Sequence, residues 1–224
     1  MHIFISEISL SNNGVLFLDE LLEFKKSVLQ VLRQPLEDGK VNISRAKYSL
    51  EYPAKFILLG AMNPCPCGFL GHPKKRCECS PLIIRKYQQK LSGPLLDRID
   101  IHISIPPVDF FKDFKKNDSM SSAQILDMVK QTRSIQNERF KKLIINYNSE
   151  MEISEVNEFC NISKEDTNWL KNVLSKLNYS ARSYFKVLKL SRTIADLSLM
   201  EKISKEHLSE AIQLRQLDRD IKLN

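Results

Sequence analysis

The sequence predicts an α/β part followed by an all-helical part, on three observations. Two short apolar runs, Val15 to Leu18 and Phe56 to Met62, have the pattern of strands buried on both faces. Residues 109–120 (DFFKDFKKNDSM) form a polar hinge. Behind that hinge the apolar period changes to the period of helices.

After the first run, Phe24, Val28, Val31 and Leu32 recur at helical spacing until Pro35, where a stop is expected. Asp38-Gly39, with Leu36 before it and Val41 and Ile43 after it, reads as a tight turn opening a hairpin. Ile99, Ile101, Ile103 and Ile105 alternate strictly and close at Pro106-Pro107, the pattern of a third strand. In the second half Ile125, Met128, Val129, Thr132 and Ile135 make one stripe, capped by Ser121 or Ser122. Ser163-x-x-Asp166 is a capping box ahead of Trp169, Leu170, Val173, Leu174 and Leu177. Two further helices are expected over 180–200 and 204–219.

The 224 residues carry 34 basic and 27 acidic side chains, a net charge of +7, and are 42% hydrophobic. That composition excludes wholesale disorder. Its longest apolar runs are far too short to cross a bilayer. The N-terminus has no basic region followed by an apolar core and a cleavage site, so a cytoplasmic location is expected. Residues 1–108 hold a net +4 and residues 109–224 a net +3. A surplus of that size permits phosphate-rich partners without demanding them.

Four segments have the residue types that chemistry needs. Gly14-Val-Leu-Phe-Leu-Asp19-Glu20 is an apolar strand ending in two carboxylates, which suits magnesium held through water and an oriented attacking water. Acidic residues that merely cap the next helix give the same string. Ala61-Met-Asn63-Pro64 ends the second strand in an amide able to bond a γ-phosphate, or in a simple Asn-Pro turn. Ser92-Gly-Pro-Leu-Leu-Asp97-Arg98-Ile-Asp100 presents an arginine that either reaches across a subunit boundary or pairs with Asp97 or Asp100. Cys65-Pro-Cys67 and Cys77-Glu-Cys79 are two pairs of thiols separated by nine residues, a set able to surround one zinc ion tetrahedrally. Free or redox-active thiols are the alternative, with His72 a substitute ligand and Cys160 a core residue. Lys74, Lys75, Arg76, Arg85, Lys86, Tyr87 and Lys90 surround the cysteines and either touch DNA phosphates or keep a surface loop soluble. Arg182, Lys186 and Lys189 share one helical face, which a solvated charged stripe would also explain.

Taken together, the strings NNGVLFLDEL, VLRQPLEDGKVNISRA, AMNPCPCG, SGPLLDRIDIHI and SARSYFKVLKLSRTIADL resemble the magnesium-chelatase-like branch of the AAA+ ATPases, in its YifB/ComM group. The resemblance covers nearly the whole chain. It implies an ATP-driven ring, hexameric, acting on DNA in the manner of branch migration. It also implies a partial AAA+ P-loop sheet over residues 1–108, with a four-cysteine insert at 65–79 and a helical lid over 121–224. On matching positions Asp19 and Glu20 resemble the Walker B pair, Asn63 sensor 1, Arg98 the arginine finger and Arg182 the sensor 2 arginine. ATP, Mg2+ and Zn2+ are the implied cofactors.

No G-x-x-x-x-G-K-[ST] run occurs among these residues. In the family that loop lies upstream of the segment matching residues 7–20, so a truncated or split-gene product is expected, one that needs a partner chain supplying the Walker A half. A zinc-stabilised module that contacts DNA or other subunits without turnover is the first alternative. A magnesium chelatase subunit is the second.

Overall fold

The computed structural model describes residues 7–45, 48–106, 120–177 and 179–215. They fall into two compact units, one ending at Ile99 and the other beginning at Asp100. Except for Met120, the expected hinge lies outside the described residues; the helix expected over 204–219 ends at Gln213, and residues 216–219 lie outside them.

In the first unit four strands, β1 (Val15–Leu18), β2 (Lys40–Arg45), β3 (Tyr48–Pro53) and β4 (Ile57–Gly60), form two separate pairs. β1 and β4 are parallel, with Val15 opposite Ile57 and Leu18 opposite Gly60. β2 and β3 are antiparallel, with Lys40 opposite Pro53. The expectation that β1 and β4 are buried on both faces is corrected. Phe17 is 56% and Ile57 69% exposed, and Val15 and Leu59 are exposed with them. Side chains alternate between faces along a strand, and in a two-stranded sheet covered on one side the outer set faces water.

Two further expectations change. Pro35 does not stop a helix. The chain breaks at Leu32, between α1 (Lys26–Val31) and α2 (Arg33–Asp38), and Pro35 occupies the third position of α2. A first-turn residue has no intrahelical acceptor for its N–H, so proline costs nothing there. Asp38-Gly39 is then no hairpin turn: Gly39, at φ 65°, caps α2 and donates its N–H to Pro35 O at 2.9 Å. α3 (Pro81–Gln88) and α4 (Gly93–Leu96) complete this unit, anchored by Tyr87, Leu95 and Leu96.

The third strand expected over Ile99–Ile105 does not form. Among the described residues it pairs through an isolated bridge between His102 and Arg215, and Ile101, Ile103 and Ile105 are exposed. Alternation makes a residue string fit for a ladder but supplies no partner edge.

The second unit is helical: α5 (Ser122–Arg139), α6 (Ile153–Phe159), α7 (Lys164–Lys176), α8 (Ala181–Leu197) and α9 (Lys205–Gln213). The caps expected at Ser121 and Ser163 are present; Ser121 Oγ accepts the Gln124 N–H at 3.3 Å and Ser163 Oγ the Asp166 N–H at 2.9 Å. Leu170, Leu174, Val187, Ala195, Leu208 and Ile212 form the core, with Trp169, Val173 and Leu177 packed against it. Cys160 is buried there, as expected. The α5 stripe is corrected in its first half, since Ile125, Met128 and Val129 are exposed and burial begins at Thr132.

A polar knot crosses this core. Asp196 accepts from Arg139 through both oxygens at 2.6 and 2.5 Å, from Arg192 Nε at 3.1 Å and from Asn148 Nδ2 at 2.8 Å. α8 then ends with Leu199 at φ 56°, its N–H on Asp196 O and that of Met200 on Ala195 O. The turn delivers the carbonyls of Met200 and Glu201 to the Arg192 guanidinium at 2.6 Å each.

Candidate nucleotide and metal site

The parallel register of β1 and β4 brings their carboxyl ends side by side. Ala61 N–H donates to Leu18 O at 3.0 Å and Leu21 N–H to Ala61 O at 2.8 Å, so the backbone laces the two chains together just past the strands. Asp19 and Glu20 leave one strand there, and Asn63 leaves the other two residues beyond Ala61. All three side chains are exposed at this end. Asp19 Oδ1 accepts the Glu20 N–H at 2.9 Å, turning the chain sharply. Glu20 takes up the left-handed region, φ 49° and ψ 46°, which a residue with a Cβ enters at a cost.

Asn63 also borders the cysteine loop, since a β-carbon at Gly68 would lie 3.9 Å from its Oδ1. The Sγ atoms of Cys65, Cys67, Cys77 and Cys79 all lie within 4.8 Å of one another. Three pairs are at 3.4, 3.5 and 3.7 Å. A tetrahedral ion with metal–sulfur bonds of ~2.3 Å sets its sulfurs about 3.8 Å apart, so these four donors fit one metal ion. Gly68, at φ 78°, makes the first turn of the loop directly after Cys67. His72 does not join the four cysteines in the cluster, and its Nδ1 accepts the backbone N–H groups of Lys74 and Lys75 at 3.0 and 3.1 Å.

The thiols are electrostatically unequal. Backbone N–H groups of Phe69 and then Glu78 point at Cys67 and lower its pKa to about 6. At Cys77 the Cys79 backbone acts in the same direction. Burial and the Cys67 and Cys65 sulfurs outweigh it and push the thiol up to about 12. One thiolate is thus favoured and the next opposed, as four crowded sulfurs require until a cation neutralises them.

Helix α3 braces this loop. Gln88 Nε2 donates to Pro64 O at 3.0 Å. Burial and a hydrogen bond to Glu23 push the Tyr87 phenol up to about 12. Lys90 donates to Leu22 O at 2.5 Å and stands 4.0 Å from the Glu23 carboxylate.

Arg98 does not make the salt bridge that one of its two sequence readings expects. Its guanidinium pairs with neither Asp97 nor Asp100 but with Glu37 on α2. It also donates to Arg33 O at 3.1 Å and to Pro94 O at 2.5 Å, and the side chain is only 12% exposed. Sequence reasoning missed Glu37, although it lies in the VLRQPLEDGK string.

Arg182 belongs to the second unit, in the exposed first turn of α8. The basic stripe behind it is not a solvated face. Lys186 bonds Asp100 Oδ1 at 2.6 Å and Lys189 donates to Ser149 O at 3.1 Å, with burial lowering the Lys189 pKa.

Two family models match consecutive parts of the chain: magnesium chelatase, subunit ChlI, over residues 2–112, and the ChlI C-terminal region over residues 119–215. The chain is 42% identical to competence protein ComM of Haemophilus influenzae. It is 40% identical to each of the YifB proteins of Salmonella typhimurium and Escherichia coli. Each match covers 95% of this chain, which spans 41% of the length of those relatives. No helix among the described residues is long and apolar enough to cross a membrane. The two family models follow one another along nearly the whole chain, as the α/β and helical units do in sequence, and the chain belongs to the magnesium-chelatase-like AAA+ family that includes YifB and ComM.

Proposed function

We propose that this chain is the hydrolysis-side part of an ATP-driven ring that remodels DNA, its phosphate grip coming from sequence outside these residues. The observation that carries the reading is the β1–β4 register, which sets Asp19, Glu20 and Asn63 at one end of a parallel pair. At that end Asp19 would hold magnesium through water, Glu20 would orient the attacking water, and Asn63 would bond the γ-phosphate or that water. Arg98 would stabilise charge on a neighbouring protomer's nucleotide after leaving Glu37, and Arg182 would contribute from the helical unit. Bound ATP with magnesium supplies the driving free energy. The exposed apolar face of the β1–β4 pair is what a sheet awaiting a covering layer presents.

Zinc is the metal read for the cysteine loop. Four thiolates with no vacant position suit structural zinc, and its role would be to pin residues 65–79. One zinc per chain by elemental analysis is expected, lost in Cys77→Ser.

The test is complementation. Mixed with the amino-terminal portion of a family member that carries a G-x-x-x-x-G-K-[ST] loop, the chain should form a complex that turns over ATP, and Glu20→Gln should abolish the turnover. A complex that forms and stays inert overturns the reading. The four-thiol loop with exposed cations on it favours a second reading, a zinc-pinned module that binds DNA or other subunits without turnover. Turnover that depends on a porphyrin would instead revive magnesium insertion.

A further inference from the structure

The net charge of this chain is concentrated at one place. Residues 65–90 hold six basic side chains against a single acid, Glu78, so this stretch accounts for +5 of the total +7. Lys90 is engaged inward with Leu22 O and Glu23. The other five, Lys74, Lys75, Arg76, Arg85 and Lys86, are exposed. Three ride on the loop that the four cysteines close, and two on α3, which is bonded to the same loop through Gln88 and Pro64. Apolar surface lies among them. Leu70 and Ile83 are exposed, and Leu82 shares a helical stripe with Arg85 and Lys86 at i, i+3 and i+4. Lys75 lies over the Phe69 ring, 4.8 Å from its centroid.

We propose that the metal-pinned loop and the outer face of α3 form a binding surface for single-stranded nucleic acid, the five cations on its phosphates and the exposed apolar side chains against its bases. Cations alone would serve any polyanion, but a single strand also offers unstacked base faces that Leu70, Leu82 and Ile83 can cover. The inference rests on the proposed DNA-acting function and assigns it a surface.

The experiment titrates the metal-loaded full chain with a labelled single-stranded oligonucleotide and follows anisotropy against salt. Replacing Lys74, Lys75 and Arg76 together by Gln should weaken binding tenfold or more and flatten the log K against log salt slope by about 2, at ~0.7 per lost phosphate contact. Arg85→Gln with Lys86→Gln should flatten it by about 1.4 on the same scale. The matched triple Lys164→Gln, Lys171→Gln and Lys176→Gln, on the exposed side of α7, should change little. Equal losses in that control would overturn the surface while leaving a DNA-acting chain intact, as would loop variants that bind like the parent. Equal affinity for duplex overturns the single-strand assignment. If the parent chain retains no oligonucleotide at low salt, the inference is wrong. The complementation experiment with Glu20→Gln then judges the ATPase reading separately.

Discussion

The helical unit buries a contiguous core, although Ile125, Met128 and Val129 of α5 stay exposed, whereas the α/β unit leaves the outer face of its β1–β4 pair open. In the former, Leu170 and Leu208 are fully buried, and the charged atoms admitted to the interior are matched by partners from three segments. In the latter, two-stranded sheets leave Val15, Phe17, Ile57 and Leu59 facing solvent, and order at the carboxyl ends depends on backbone lacing and the cysteine loop. The unit with the open strand pair holds the residues that resemble a catalytic centre.

The strongest way to break this comparison is to attack the core of the helical unit. Asp196→Ala should cost about 3–5 kcal/mol, because the carboxylate is fully buried and its loss strands two guanidiniums; urea unfolding followed by Trp169 fluorescence reads it. A smaller loss would mean that water or a rearranged turn rescues the arginines. Next, Leu170→Ala should cost about 2–5 kcal/mol, while Phe17→Lys should change stability by less than ~0.5 kcal/mol. Similar penalties at both positions would show that the β1 face is covered in solution.

Glu37→Gln sharpens the picture of the α/β unit. The pair is partly exposed, so the expected loss is about 1 kcal/mol, diminishing with added salt. No salt dependence would mean that the two carbonyl acceptors alone hold Arg98. The smallest effect concerns thiol chemistry. Burial raises the Cys160 pKa to about 11, so its reactive thiolate is scarce at neutral pH and increases tenfold per pH unit below that value. In the metal-stripped chain, alkylation at pH 8 should modify Cys67 rapidly and Cys160 slowly, as peptide mapping would show.

Legibility in the sequence followed how local each determinant is. The acid pair after Leu18 and the amide at 63 were readable because an apolar run with polar ends describes a strand and its tip. The caps at Ser121 and Ser163 needed only a few residues of context. The helix Ile153–Phe159 was not anticipated, because its capping box is built from Glu152 and Glu155 rather than from a serine. Asp38-Gly39 misled because the same dipeptide suits a tight turn and a helix end, and only the position of Pro35 within the first turn of α2 distinguishes them. Ile99–Ile105 misled because a strand is a property of two chains, and the alternating pattern names just one. The Arg98–Glu37 pair spans 61 positions, and nothing in either neighbourhood announces the other.

The left-handed backbone at Glu20 has a consequence for how that residue is dissected. Glycine at this position should relax the turn and raise the melting temperature, by the equivalent of roughly 1 kcal/mol, while deleting the carboxylate. Glutamine deletes the charge and keeps the tension. Comparing the two separates what the side chain does from what its awkward posture does, and a glycine variant no sturdier than the glutamine one would mean that the neighbouring hydrogen bonds, rather than the missing Cβ, set the shape of the bend.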